Sequence, residues 1–427
     1  MDTRRTALES LAVTRTMAEP RACRFCGSPV THSFIDLGSM PLANSFVAPD
    51  RLAQIDPVYP LHARVCGACF LVQVDAVVPA EEIFGDYAYF SSYAASWVEH
   101  ARCYAGMMTA RFALTSASKV VEVASNDGYL LRHFAAVGVP VLGVEPAANV
   151  ASAARELGVA TEVAFFGMET AQRLKALGHG ADVMVANNVL AHVPDINDFV
   201  AGFAVLLKPE GVWTIEFPHL LHLIQENQFD TIYHEHYSYL SLDTVEQILA
   251  AHQLRAFDVD VLKTHGGSLR VYVCHVAADH ETSEALMYLR ESEQDAGMDR
   301  LETYEGFGIR AEKIKQALLG FLNDAKSQGK KVVAYGAAAK GNTLLNYCGV
   351  TADQIEFAVD SNPHKQGRYL PGSRLPIHAP DAIFTAKPDY VLILPWNLAS
   401  EICGNMSGIS AWGGRFVLPI PMLRVLD

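Results

Sequence analysis

From Lys119 onward, short β-branched runs alternate with helical stretches, and a chain patterned this way can bury its strands only in a parallel sheet covered on both faces. The runs are KVVEVA, with a helix from Gly128; PVLGVE, with a helix from Ala147; GVATEVAFF; DVMVANNVL, with a helix after Pro194; and GVWTIEF. A second α/β pattern follows in KKVVAYGAAAKGNTLLNYCGV, IEFAVD, PDYVLILPWN and GGRFVLPIP. A charged amphipathic stretch around 281–328 separates the two and reads as one or two linking helices. The halves are not repeats of each other at residue level. A length of 427 residues, half of them hydrophobic, accommodates two such domains and a smaller appendage.

The appendage is marked by cysteine. Four of the eight cysteines form two short pairs, Cys23-Arg24-Phe25-Cys26 and Cys66-Gly67-Ala68-Cys69. Each C-x-x-C turn can aim two thiolates at one metal, and four thiolates complete a closed, structural zinc site. Redox dithiols or ordinary buried thiols are the alternative. Residues 20–80 then read as a small β-rich module, with SFIDLG, YPLHARVC and FLVQVDAVV as strands. Cys103, Cys274, Cys348 and Cys403 stand singly and are expected to be core thiols.

Charge and hydropathy narrow the class further. The chain carries 33 basic and 47 acidic side chains, a net −14, which argues against nucleic acid as a partner. No apolar run reaches membrane-spanning length, and the first twenty residues lack the apolar region of a signal peptide, so a cytoplasmic protein with a mobile amino-terminal tail is expected. A monomer is the simplest expectation, an oligomer remaining open.

A ligand site is written into the first strand, turn and helix of the central pattern. Glu122 lies in the strand, and Ala124, Asn126, Asp127 and Gly128 follow it, small and polar residues that let a ligand approach the backbone at the carboxyl edge of the sheet. The next strand ends in Glu145 and Pro146; an acid there, 23 positions after Glu122, can accept hydrogen bonds from both hydroxyls of a ribose. These features suit NAD and S-adenosylmethionine alike. No G-x-G-x-x-G brings a pyrophosphate to the helix end, which favours the methyl donor, and Asn187 and Asn188 end the fourth strand where an adenine edge and a substrate could meet. A plain turn at Asn126 and Asp127 and a helix cap at Glu145 is the structural alternative.

After the fifth strand comes Tyr233-His234-Glu235-His236, three ionisable side chains and a phenol in four positions. A metal site is a rival reading, but the H-E-x-x-H spacing is missing. General acid-base chemistry fits better, because imidazole titrates near neutrality and a phenol can donate to a developing oxyanion. In the second α/β pattern, Lys340 and Asn342 sit at a strand-to-helix turn where backbone N–H groups can meet an anion, and Lys365 and Arg368 could add to a pyrophosphate contact.

The paired C-x-x-C module, E-V-A-S-N-D-G-Y, N-N-V-L-A-H-V, I-Y-H-E-H-Y-S-Y and the late Y-G-A-A-A-K-G-N with V-D-S-N-P-H-K-Q-G-R-Y-L-P-G together resemble the sugar C-methyltransferases of deoxysugar biosynthesis. The resemblance spans nearly everything after residue 20. It implies an α/β fold with a Rossmann-like class I methyltransferase domain, an N-terminal zinc-binding module and a C-terminal second α/β domain. The implied division is a flexible tail at 1–20, the zinc module at 21–80, the S-adenosylmethionine domain at 81–280 and the substrate-binding domain at 281–427. It also implies a nucleotide-linked substrate, a dTDP-linked 4-keto-deoxyhexose methylated on the carbon beside its ketone. By the same resemblance His236 is the base, Tyr233 and His192 are partners of the enolate or keto oxygen, Glu235 supports the histidine and Tyr87 closes the pocket, with His234 structural. Methylation of an oxygen or nitrogen on the same scaffold, or an inactive zinc-containing assembly protein, are the alternatives.

Overall fold

The computed structural model describes residues 21–79, 91–93 and 95–426. The amino-terminal tail and Tyr87 lie outside the described residues.

Three sheets organise the chain. The first contains β1 (His32–Met40), β2 (Tyr59–Val65) and β3 (Val72–Gln73), and helix α1 (Ala95–Arg111) follows. The central sheet begins with β4 (Val120–Val123), α2 (Leu131–Ala136), β5 (Val141–Val144), α3 (Ala148–Glu156), β6 (Thr161–Glu162), α4 (Met168–Ala176), β7 (Ala181–Asn187), α5 (Ile196–Leu206) and β8 (Leu207–Pro218). After α6 (Leu220–Gln225), β9 (Ser238–Tyr239) and α7 (Leu242–Ala251), it ends in β10 (Leu254–Leu262) and β11 (Ser268–His275). Helices α8 (Glu284–Asp295) and α9 (Phe307–Ser327) lead to the third sheet, built from β12 (Val332–Tyr335), β13 (Ala358–Val359), β14 (Ile377–His378), β15 (Tyr390–Ile393), β16 (Arg415–Leu418) and β17 (Arg424–Val425), with α10 (Ala339–Cys348) after β12.

The central sheet has the order β10-β11-β8-β7-β4-β5-β6, parallel from β8 through β6, with β11 running antiparallel to both neighbours. The third has the order β14-β13-β12-β15-β16-β17, parallel except for the β17 edge. Laid side by side, β6-β5-β4-β7-β8-β11 and β14-β13-β12-β15-β16-β17 have one topology. Two sequences without residue-level repetition therefore fold to the same doubly wound plan. Each reverses strand order beside its first strand, where such sheets open a crevice for a ligand.

The expected strands and the two linking helices are present, but the β10–β11 hairpin falls in a stretch the strand reading passed over. Its signal was legible: LRAFDVDVL and SLRVYVCH are β-rich runs on either side of Thr264-His265-Gly266-Gly267. The module at the amino end is also less separate than expected. Its sheet has the order β1-β2-β3-β9, and β9 comes from the segment after β8. Its other face packs on the far half of the chain, where Phe34 stacks on Phe307 of α9 at 4.5 Å between centroids. Cys103 departs from the core-thiol expectation. It is exposed on the outer face of α1, with Glu99 accepting from its thiol, whereas Cys274 and Cys348 are buried.

One buried junction clamps these layers together. Glu293 of α8, 2% exposed, accepts from Nε2 of His219 at 2.6 Å and from the N–H groups of Leu242 and Asp243 at 2.7 and 2.9 Å. It thus caps α7 and fixes the chain just past β8. Glu293→Ala strands three buried donors and is expected to cost about 3 kcal/mol of unfolding free energy in urea titration.

Candidate active site

Left-handed backbone gathers at the carboxyl edge of the central sheet. Ala124, Asn126 and Asn188 have φ of 53°, 50° and 57°, a region that side-chain-bearing residues visit at a cost. Gly128, at φ 77°, also lies against Val159, whose Cγ2 would stand 3.0 Å from an added Cβ. Glu145 holds this turn: Oε2 accepts from Asn126 N and Oε1 from Ala147 N, both at 2.9 Å. Each oxygen keeps a second lone pair, so turn fastening and ribose recognition are compatible. Burial raises the Glu145 carboxyl, and it raises Glu122 still further, with the charges of Glu145 and Asp127 adding to the effect.

Several buried polar atoms here have no partner among the described residues: Glu122 Oε2, Asp127 Oδ1, Asn187 Oδ1 and both amide atoms of Asn188. Unpaired buried groups are costly, and at a sheet crevice they mark where a polar ligand completes the bonding. The set fits S-adenosylmethionine, with an acid for the ribose, a turn open to the methionine end, and Asn187 and Asn188 at the end of β7. Ala124 and Pro146 border the crevice half-buried.

The histidine cluster lies in the chain between β8 and β9. His236 presents Nδ1 to the carbonyl of Thr231 at 3.2 Å and Nε2 to the Tyr233 hydroxyl at 2.7 Å. A carbonyl only accepts, so Nδ1 carries the proton and Nε2 receives the phenol's. Desolvation holds the ring well below the ordinary histidine value, with His192 and Lys340 adding to it. His236 is thus a neutral imidazole with a basic Nε2. His192 packs edge-on against it, 4.6 Å between centroids, and donates from Nδ1 to the Glu235 carbonyl at 2.8 Å. Desolvation lowers His192 to about 4.

Glu235 requires a correction. Its carboxylate turns away from His236 and accepts at both oxygens, each at 2.9 Å, from the amide of Asn44 in the β1–β2 connection. Burial raises it to about 7. Support for His236 comes instead from the Thr231 carbonyl, and Glu235 supports His192 through its own. His234 points elsewhere again, to the Tyr59 carbonyl at 3.2 Å, consistent with a structural role. The side chains of His234, Glu235 and His236 diverge to three partners and do not converge on one centre, as ligands of a single metal would.

The third sheet presents its own edge to this cluster. Lys340 bonds Asn397 Oδ1 at 2.8 Å and lies 4.4 Å from the Trp396 ring centroid, while the indole N–H donates to Asp230 Oδ2 at 2.8 Å. Asp230 is wholly buried, its other oxygen has no hydrogen-bond partner among the described residues, and burial raises it to about 6 against the pull of Lys340. Lys365 donates to the Ala337 carbonyl at 2.9 Å and lies 3.7 Å from Asp360. Asp360, just past β13, accepts from Ala337 N at 2.7 Å, as Glu145 past β5 accepts from Asn126 N. Arg368 is exposed. Asn342 is not a cleft residue: it is 1% exposed, and its amide donates to the Ala43 carbonyl, tying α10 to the first module. Asn44, Asp230, Asp360 and Trp396 were missed in the sequence, where single polar or aromatic residues in loops carry no spacing signal.

At the amino end, the sulfur atoms of Cys23, Cys26, Cys66 and Cys69 lie within 4.8 Å of one another. The turns form because Gly27 and Phe70 adopt φ of 73° and 58°, closing bonds from Gly27 N and Phe70 N to the carbonyls of Cys23 and Cys66. Four convergent thiol groups suit tetrahedral zinc and leave no ligand position for chemistry.

A doubly wound sheet with this crevice defines an S-adenosylmethionine-dependent methyltransferase, and comparison with known proteins agrees. Family models match residues 23–84 ("Putative zinc binding domain"), 97–258 ("Methyltransferase domain") and 263–421 ("C-methyltransferase C-terminal domain"). The chain is 38% identical over 406 residues to C-methyltransferase NovU of Streptomyces niveus, covering 95% of this chain and 96% of that one. Among solved structures, magnesium protoporphyrin IX methyltransferase of Synechocystis PCC 6803 with bound SAM is similar at 13% identity and a TM-score of 0.35, covering 47% of this chain and all of that one. A S-adenosylmethionine-dependent methyltransferase from Clostridium acetobutylicum ATCC 824 is similar at 12% identity and a TM-score of 0.34, covering 42% of this chain and 92% of that one. The chain belongs to the C-methyltransferase family that carries a zinc-binding module and a dedicated C-terminal domain. Its cofactors are S-adenosylmethionine and zinc.

Two outcomes follow from this geometry. Glu145→Ala frees the Asn126 turn and removes an acid placed to accept from a ribose, so calorimetry should show S-adenosylhomocysteine binding weakened about tenfold or more. Stripping zinc with a strong chelator should lower the melting temperature and methyl transfer together, because β3 of the zinc module pairs with β9 beside His236.

Proposed function

We propose that the enzyme methylates the carbon adjacent to the ketone of a nucleotide-linked 4-keto-deoxysugar, with dTDP as the nucleotide. The carrying observation is the neutral His236, hydrogen-bonded to Tyr233 and packed on His192, in a cleft shared with Lys340 of the second α/β unit. A carbon acid needs a desolvated neutral base beside a group that can receive an oxyanion, and this arrangement supplies both.

His236 Nε2 takes the proton from the carbon beside the carbonyl. As it does, the Tyr233 hydroxyl turns its hydrogen from Nε2 to the enolate oxygen, and the nucleophilic carbon is left facing the cofactor crevice. The bound cofactor supplies an electrophilic methyl group on a sulfonium. His192 plays a different part from the one the resemblance implied. With its proton committed at Nδ1, its Nε2 can only accept, which suits a sugar hydroxyl and not an enolate oxygen. Lys340 and Lys365 are the cations nearest the second crevice, and Arg368 lies farther out along the same connection. Residues 21–80, 81–280 and 281–427 remain the working division into module, methyl-donor domain and sugar-nucleotide domain, with the enzyme working as a monomer in the cytoplasm.

The decisive test is proton exchange at the substrate carbon in deuterated buffer without methyl donor, read by mass spectrometry. Wild-type enzyme should wash deuterium into a dTDP-4-keto-deoxyhexose, and His236→Asn should lose both exchange and methylation by roughly a hundredfold or more. Methylation without exchange in the wild type would point to an oxygen or nitrogen acceptor and overturn the carbon reading. The pH profile is a separate check. The base must be unprotonated, and its value lies below 6.5, so kcat/KM should hold as pH falls through 6.5 and decline only in more acid buffer.

A further inference from the structure

The β10–β11 hairpin carries a histidine that no motif singled out. His265 adopts φ 55°, between two residues that could relieve the turn and one that does not: Gly266 and Gly267 follow at φ 93° and 115°, and Lys263 precedes the turn in ordinary helical geometry. A glycine at 265 would satisfy the same backbone without steric cost. A side chain kept at such a position points to a use for it.

Its surroundings say what the use is. The ring meets Trp97 of α1 edge-on at 5.4 Å, and Trp97 in turn stacks near Tyr129 on the cofactor turn, 6.3 Å away. On the other side the hairpin is pressed against the second α/β unit: a Cβ on Gly266 would stand 2.4 Å from the Trp396 ring, and the Gly266 carbonyl accepts from Gln228 Nε2 at 2.8 Å. Trp396 is the ring that carries Lys340 and bonds Asp230, the neighbour of the residue that holds His236. His265 therefore stands where the methyl-donor crevice and the sugar-nucleotide crevice meet. It is exposed, and among the described residues neither of its ring nitrogens has a hydrogen-bond partner.

We infer that His265 hydrogen-bonds a hydroxyl of the hexose and helps decide which sugar is accepted and how its ring is presented to the methyl group. A neutral imidazole offers one donor and one acceptor, the complement of a hydroxyl. Trp97, stacked on His100 at 4.9 Å, and Trp396, under the Lys340 ammonium, flank the hairpin and fix where the His265 ring stands. This inference rests on the keto-sugar reading above.

The test uses His265→Gly and His265→Asn in the full-length enzyme, with a dTDP-4-keto-deoxyhexose and S-adenosylmethionine. His265→Gly should keep or raise the melting temperature, bind S-adenosylhomocysteine as the wild type does in calorimetry, and lose about tenfold or more in kcat/KM, mainly through KM. His265→Asn, which tolerates the left-handed backbone and keeps a donor and an acceptor, should recover part of that loss. Variants within about twofold of wild type in kcat/KM overturn the assignment while leaving the keto-sugar reading intact. So does a loss of activity that tracks a fall in melting temperature or in cofactor affinity. A wild-type enzyme that neither exchanges nor methylates any keto-sugar overturns the reading itself, and His265 with it.

Discussion

The chain from Phe229 to Tyr239 has no sheet of its own, and satisfying its polar groups fixes the position of everything around it. Its residues bond in every direction: Tyr237 N to the Ala191 carbonyl, the Tyr237 carbonyl to Val74 N, the Ile232 carbonyl to Thr343 of α10, and Tyr239 to Val72 of β3. Asp230 takes the Trp396 indole and Glu235 the Asn44 amide. Backbone buried without partners is costly, so this segment can be ordered only when the zinc module, the central sheet and the second α/β unit are all in place. His236, the base in the proposed reaction, rides on it. Catalytic geometry is in this sense a property of the whole assembly, although the reacting groups belong to one short loop.

That dependence explains the zinc. Four thiolates that fill the coordination of one structural zinc leave none for chemistry, but they close the two turns that flank β1 and β2 and so present β3 to β9. A sheet of four strands, two of them only two residues long, buries too little apolar surface to hold such a register alone. Metal at one side and the Phe34–Phe307 stack at the other supply what the strands lack.

How much of this could be read in the sequence follows from the range of each interaction. The parallel strands, the cysteine pairs and the cofactor turn are local patterns with a fixed period or spacing, and they were legible. Glu145 was picked out because it sits at a set point past its strand, where the structure has it fastening the Asn126 turn. The direction of the Glu235 carboxylate was not, since its partner Asn44 lies 191 positions away and an Asn in a loop announces nothing. The burial of Asn342 was hidden for the same reason: its place at a helix start resembles an anion site, and only the docking of the first module onto α10 converts it to a structural tie. The shared topology of the two α/β units was invisible at residue level because strand order depends on which runs pair, and many sequences satisfy one order.

The two units also divide the electrostatic work. An enzyme of net charge −14 repels a nucleoside diphosphate at long range, so its capture must come from charges close to the crevice. Lys340 illustrates how that charge is placed. It rests on the face of Trp396 and is balanced by Asp230, a carboxylate with one oxygen left over, and desolvation lowers its own affinity for a proton. The same ammonium helps to keep His236 and His265 uncharged. On the proposed reading, a cation placed to attract a substrate's phosphates would also disfavour protonation of the nearby His236 imidazole. In that reading, binding and chemistry would be coupled at this one residue, because it stands at the seam between the central sheet and the third sheet.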